Sequence, residues 1–181
     1  MDETWRFCEM TPEDAAAVVS WRYDGPYAFY DTAADPEFAA EFADASLWRL
    51  RGLEADRDVL LAVKDARDAL AGFFSFKGRP DLCVIGLGLA PELTGRSLGP
   101  GFVRAGLVFA RGQWHVSRFH LEVVAFNRRA LRVYRRLGFV PVGRFSRAAP
   151  ELGGKVVEWF TMEAAADDSG PPPKGEDDGG G

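Results

Sequence analysis

Residues 83–101 read CVIGLGLAPELTGRSLGPG, and the fold follows from how this run is parsed. Its first half, with Leu82, is a strand of branched residues interleaved with Gly86 and Gly88. Ala90-Pro91-Glu92-Leu93 interrupts it, and a glycine-spaced loop then feeds a helix over about 100–112 with Phe102, Val103, Gly106, Leu107 and Ala110 on one face. A loop of this kind turns successive backbone N–H groups toward one point, and the helix N-terminus adds its partial positive charge, so the pair suits a pyrophosphate. Gly95, Gly99 and Gly101 allow tight turning, and Pro100 lacks only an N–H that the first helical turn leaves unpaired anyway. A Walker loop is excluded because no Gly-Lys-Ser/Thr occurs. A Rossmann loop is excluded because its glycines would open the helix directly after an early strand. On its own the run reads equally as a ligand loop or as plain turn chemistry.

Outward from this segment, strand and helix patterns alternate. Trp5–Glu9 reads as a strand, and Thr11-Pro12-Glu13-Asp14 as the capped start of a helix that runs to about Trp21. An aromatic, turn-rich loop follows, then a helix opening at Asp35 with Phe38 and Phe42 on one face. Val59–Val63, Ala71–Phe76 and Leu82–Leu89 form three successive strands. Beyond the helix at 100–112 come a strand over Phe119–Ala125 and a helix over Arg128–Leu137, with Asn127 as N-cap and Gly138 past its end. Two last strands cover Val140–Phe145 and Val156–Met162. The order β-α-α-β-β-β-α-β-α-β-β predicts an α/β layered domain over residues 1–165, with a mixed, mostly antiparallel sheet flanked by helices. Residues 166–181, ADDSGPPPKGEDDGGG, contain no large apolar side chain and are expected to be a disordered acidic tail.

Charge is distributed as unevenly as hydrophobicity. The net charge of −5 resolves into −9 over residues 1–95, +10 over 96–147, −2 over 148–165 and −4 over the tail. The positive block holds 11 arginines, no lysine and one acid, Glu122, which suits a ligand bearing several negative charges. It reads otherwise as a set of solvated helix faces. Cys8 and Cys83 are too few for a disulfide framework or a structural zinc site, and no metal is expected. No apolar run approaches the ~18 residues of a membrane span, and no leader peptide is visible, so a cytoplasmic location is expected.

Inside the positive block, Asn127–Phe139 reads NRRALRVYRRLGF. Taken singly, Tyr134 is as readily a core aromatic as a catalyst, and Asn127 a helix cap. Together with Leu93–Gly99, however, this run resembles the GNAT superfamily of acetyl-CoA-dependent N-acetyltransferases. That family carries a Q/R-x-x-G-x-G/A loop and an N-x-x-A-x-x-x-Y-x-x-x-G-F helix. The helix pattern is matched at Asn127, Ala130, Tyr134, Gly138 and Phe139. The loop departs twice, with Thr94 in place of Gln or Arg and Ser97 in place of the first glycine. A Ser in a left-handed conformation would cost about 1 kcal/mol. The resemblance spans residues 59–163.

The resemblance implies a division of labour. Leu87, Gly88 and Leu89 would offer backbone groups to the pantetheine arm. Thr94, Gly95, Arg96, Ser97, Leu98, Gly99, Pro100 and Gly101 would cradle the pyrophosphate, and Asn127 with Ala130 would lie near the thioester. Tyr134 would protonate the departing thiolate, and an N–H near Leu89 would stabilise the oxyanion. For the base, Glu122 is named ahead of Glu158 and Asp31, although each of the three reads more readily as a solvated carboxylate. His115 and His120 titrate in a useful range but are not favoured, and ordered water would serve as well. Trp21–Asp31 would flank the acceptor, with Tyr27, Tyr30 and Asp31 suited to a cationic amine bearing an apolar body. It reads equally as a loop packed over the core.

The expected activity is acetyl transfer from acetyl-CoA to an amine on a small molecule, a protein N-terminus or a lysine. Neither nucleic acid nor membrane is an expected partner, and the chain is expected to be a monomer or homodimer. The alternative is a non-catalytic CoA-binding or interaction module on the same fold, motivated by Thr94 and Ser97.

Overall fold

The computed structural model describes residues 4–48, 58–79, 82–114, 116–149 and 152–166. Seven strands, β1 (Arg6–Glu9), β2 (Val59–Lys64), β3 (Leu70–Arg79), β4 (Leu82–Leu89), β5 (Arg118–Val124), β6 (Val140–Ala149) and β7 (Lys155–Ala165), form one sheet in the order β1-β2-β3-β4-β5-β7-β6. Every neighbouring pair is antiparallel except β4 with β5. The helices α1 (Pro12–Ser20), α2 (Pro36–Glu41), α3 (Gly99–Gln113) and α4 (Arg128–Arg136) follow in the expected chain order.

Alternation along the strands divides the core between the two faces. Leu61, Val63, Phe74, Phe76 and Ile85 pack with Phe102, Val103, Leu107, Leu131 and Tyr134 of α3 and α4. Leu60, Ala62 and Phe73 point the other way, to Val18 of α1 and Phe42 at the end of α2. Helix α3 lies close because Gly106 has no side chain: a Cβ there would stand 2.3 Å from the Phe74 ring. Thr11 caps α1 through a reciprocal pair with Asp14, as Thr-Pro-Glu-Asp predicts.

Several boundaries differ from the sequence reading, β3 among them, which runs on from the expected Phe76 to Arg79. Trp5 lies outside β1, and its ring instead packs edge-on against Phe102. The last two strands are longer than expected because they pair as a hairpin from Val140↔Glu163 to Ala149↔Lys155, far past the segment that alternates clearly. Ala166, assigned to the tail, is buried and donates its N–H to the Ser117 carbonyl at 2.9 Å, so the folded part extends through it. The rest of the tail, 167–181, lies outside the described residues, as does His115. Among the described residues, no helix is long and apolar enough to cross a membrane.

Candidate active site

The site begins where two strands part. β4 and β5 pair only at Leu82↔Arg118, Cys83↔Phe119 and Val84↔His120, and then diverge. On the other edge of β4, the Ala90 N–H donates to the Ala71 carbonyl at 2.8 Å, which sets the hydrogen-bonding alternation against β3. Gly86 and Gly88 therefore face Ser75 and Phe73 across the ladder, whereas Leu87 and Leu89 turn their N–H and C=O groups toward the gap. Of the three residues expected to offer backbone groups, Gly88 is thus committed to β3. It serves space instead, since a Cβ there would lie 2.3 Å from the Phe73 ring. The Leu89 carbonyl accepts a hydrogen bond from the Tyr23 hydroxyl at 2.9 Å. The Leu89 N–H and both backbone groups of Leu87 remain on the cleft side.

A cavity of about 460 Å³ fills the gap. At one end it is walled by Thr94, Gly95, Ser97, Leu98, Gly99 and Pro100, whereas Arg96 and Gly101 do not line it. Gly95 and Ser97 both have left-handed backbone, with φ of 76° and 62°. Ser97 therefore holds a conformation that a β-carbon disfavours, as expected for a residue standing where the family has glycine. Thr94 does not replace the usual Gln or Arg as a donor, because its hydroxyl donates to the Pro91 carbonyl at 2.8 Å. No side chain caps α3, so its first-turn N–H groups stay available beside the loop. The loop lies against α4, with the position of a Gly99 Cβ 3.2 Å from Val133.

Helix α4 supplies the middle of the cavity. The Asn127 Oδ1 accepts from the Ala130 N–H at 3.1 Å, which leaves the amide nitrogen as the free donor of that side chain. Tyr134 lies one face along, buried and packed against Phe139 with ring centroids 5.8 Å apart. Burial pushes its hydroxyl well above the ordinary phenol value, and the neighbouring Tyr30 adds to the effect. Tyr134 is consequently protonated throughout the neutral range and able to donate.

The aromatic segment after α1 closes the other end. Gly25–Tyr30 forms 3-10 turns, with Pro26 at the start, rather than an irregular loop. Tyr23, Tyr27 and Tyr30 line the cavity together with Phe38 and Phe73. The Tyr30 hydroxyl is buried, and burial raises it to about 12. Asn127 and the Val124 backbone lie near enough to oppose that shift, but neither meets the hydroxyl in hydrogen-bonding geometry.

Asp31 does not line the cavity. Its Oδ1 accepts from the Tyr23 N–H at 2.8 Å and its Oδ2 stands 3.8 Å from Arg22, so it fastens the loop rather than meeting a cation. Glu158 is likewise engaged, 2.6 Å from Arg144 on the β6–β7 hairpin. His120 pairs with Glu163 at 3.2 Å, away from the cleft. Glu122 is the one carboxylate of the cavity wall among the described residues.

Several wall residues, Tyr23 and Arg129 among them, were not singled out from sequence for a role. Tyr23 stood in the aromatic cluster, but nothing local revealed its bond to Leu89. Arg129 stood in the arginine block, and its guanidinium lies 3.6 Å from the Tyr27 ring centroid.

Residues 6–140 match the family described as the acetyltransferase (GNAT) domain. Among solved structures, the chain is similar to a spermidine N-acetyltransferase from Vibrio cholerae in complex with CoA and spermine. The TM-score is 0.70 at 14% identity, covering 90% of this chain and 95% of that one. A spermidine N-acetyltransferase chimera built from the Vibrio cholerae protein SpeG and hSSAT gives 0.68 at 15% identity, covering 92% and 96%. At such identities the likeness shows a shared fold. No curated protein matches the sequence.

Proposed function

Because the chain belongs to the GNAT acetyltransferase family, whose members use acetyl-CoA, we propose that it moves an acetyl group from acetyl-CoA to a primary amine by direct attack on the thioester. The observation that carries this reading is the continuity of the cavity. One space joins the uncapped loop at Gly95–Pro100, the unpaired backbone of β4, Tyr134 and the aromatic segment.

The loop and the start of α3 hold the pyrophosphate through backbone N–H groups. Leu87 pairs with the pantetheine amide as an added strand would, and the Asn127 amide donates to a carbonyl of the same arm. The thioester then lies between the Leu89 N–H and the Tyr134 hydroxyl. The amine nitrogen attacks the carbonyl carbon and forms the C–N bond, while negative charge on oxygen is met by the Leu89 N–H. As the C–S bond breaks, its electron pair goes to sulfur, which takes a hydrogen bond and then a proton from Tyr134. The proton lost by the amine leaves through water to Glu122, and solvent exchange between the two groups restores both. The acceptor is an amine on a small molecule or a protein; the structural neighbours named above act on spermidine, and an amine acceptor for this chain accords with them.

Acetyl-CoA is expected to raise the melting temperature, and a panel of amines should then yield free CoA thiol. Tyr134→Phe is expected to keep the stabilisation and to slow turnover. Stabilisation without thiol on any amine would support the non-catalytic module instead.

A further inference from the structure

Arg129 is a residue of the cavity wall that acetyl transfer from CoA, as described above, leaves without a task. It is the second residue of α4, after Arg128, and the first turn holds no acid. Positive charge at a helix N-terminus opposes the helix dipole, so Arg129 stands where local energetics disfavour it. The carbon of its guanidinium lies 3.6 Å from the ring centroid of Tyr27, a residue of the aromatic segment. Val133, one turn further along the same face, is the residue that meets the loop at Gly99. Among the described residues no carboxylate pairs with Arg129, and Asp31, next to Tyr30 in sequence, is engaged by Tyr23 and Arg22. The Tyr30 hydroxyl, buried and without a hydrogen-bond partner, lies in the same part of the wall.

We infer that the acceptor is an amine that itself carries a carboxylate beside an apolar body, an α-amino acid with an apolar or aromatic side chain, and that Arg129 is the specificity-determining residue that binds the carboxylate. The Tyr27 ring holds the guanidinium by a cation–π contact, and the planar fork of N–H donors suits two-pronged recognition of a carboxylate. Phe38, Phe73 and Tyr23 supply the apolar surface for the side chain. The same wall disfavours a polyamine, since a second ammonium would meet arginine where it needs an acid. This inference rests on the acetyltransferase reading and names the acceptor of that same site.

The test is thiol release from acetyl-CoA with phenylalanine, leucine and methionine, with their carboxamides, with phenethylamine and with spermidine. Turnover of the free acids at least about tenfold better than of the amides is expected. Arg129→Gln should raise KM for the acid by about ten- to hundredfold while leaving KM for acetyl-CoA and the melting temperature little changed. Arg129→Lys should recover part of the loss.

Equal use of acids and amides, preference for spermidine or phenethylamine, or no turnover of any amino acid overturns the inference. So does an Arg129→Gln defect confined to acetyl-CoA, which would place the guanidinium on a CoA phosphate. Failure of the underlying reading looks different: acetyl-CoA would then neither stabilise the protein nor release thiol with any amine.

Discussion

Ser97 holds φ at 62° in the loop that faces the cavity, and a β-carbon there costs energy that glycine would not. Ser97→Gly is expected to stabilise the fold by about 1 kcal/mol, measured by urea unfolding. A loss of stability instead would show that the Ser97 side chain makes a compensating contact. The position was legible before any coordinates, because the pattern of the loop sets glycine where this chain has serine. Asp31 was not legible in the same way. A carboxylate among aromatics suggests a cation site, but a side chain takes its role from its nearest partner, and here that is the Tyr23 N–H eight residues back. Tyr23 and Arg129 share this difficulty. Their partners, the Leu89 carbonyl and the Tyr27 ring, are distant in sequence, and no spacing rule connects them.

Among the elements, the helices and their caps were the most readable. Thr11 and Asn127 announce their helices through short-range hydrogen bonds that the sequence spells out residue by residue. The gap between β4 and β5 is of another kind. Both segments have strand character throughout, and only the tertiary arrangement stops their pairing after Val84 and His120. The site therefore depends on a divergence with no local signal in either strand. The packing of α3 is set by Gly106 against Phe74. Gly106→Ala should place a methyl 2.3 Å from that ring and destabilise the protein by about 1–3 kcal/mol. Differential scanning calorimetry checks this, and an unchanged melting temperature would mean that α3 shifts freely. Such a shift would also move the loop, so KM for acetyl-CoA should then change even though stability does not.

Over the whole molecule, the net charge of −5 conceals a division into an acidic first half and an arginine-rich block. Three of those arginines, Arg129, Arg132 and Arg136, reach the cavity wall opposite a single acid, Glu122. Among the described residues the cavity wall therefore carries net positive charge, although the chain as a whole is acidic. Buried neutral groups give the molecule a second collective property. Burial raises the Cys83 thiol from 9.0 to about 12 and the Tyr30 phenol from 10.0 to about 12, and it raises Tyr23 and Tyr134 further. The unfolded chain loses these protons first as pH rises, so the folded state holds more protons above pH 9. The contribution of these groups to stability is thus complete below pH 9 and is lost progressively from pH 9 toward 12 as the unfolded groups ionise and the folded ones resist. Chemical unfolding at stepped pH values reads this directly, and a flat profile across that range would mean that these groups become exposed without unfolding.

The central claim is that Tyr134 serves the departing sulfur of acetyl-CoA in a cavity opened by the split sheet. The direct measurement is single-turnover acetyl transfer by Tyr134→Phe at saturating acetyl-CoA, with acetyl-CoA affinity measured beside it. Affinity should be unchanged and the chemical step slower by about a hundredfold or more, as befits loss of a positioned acid. Undiminished transfer at every pH tested would contradict the account.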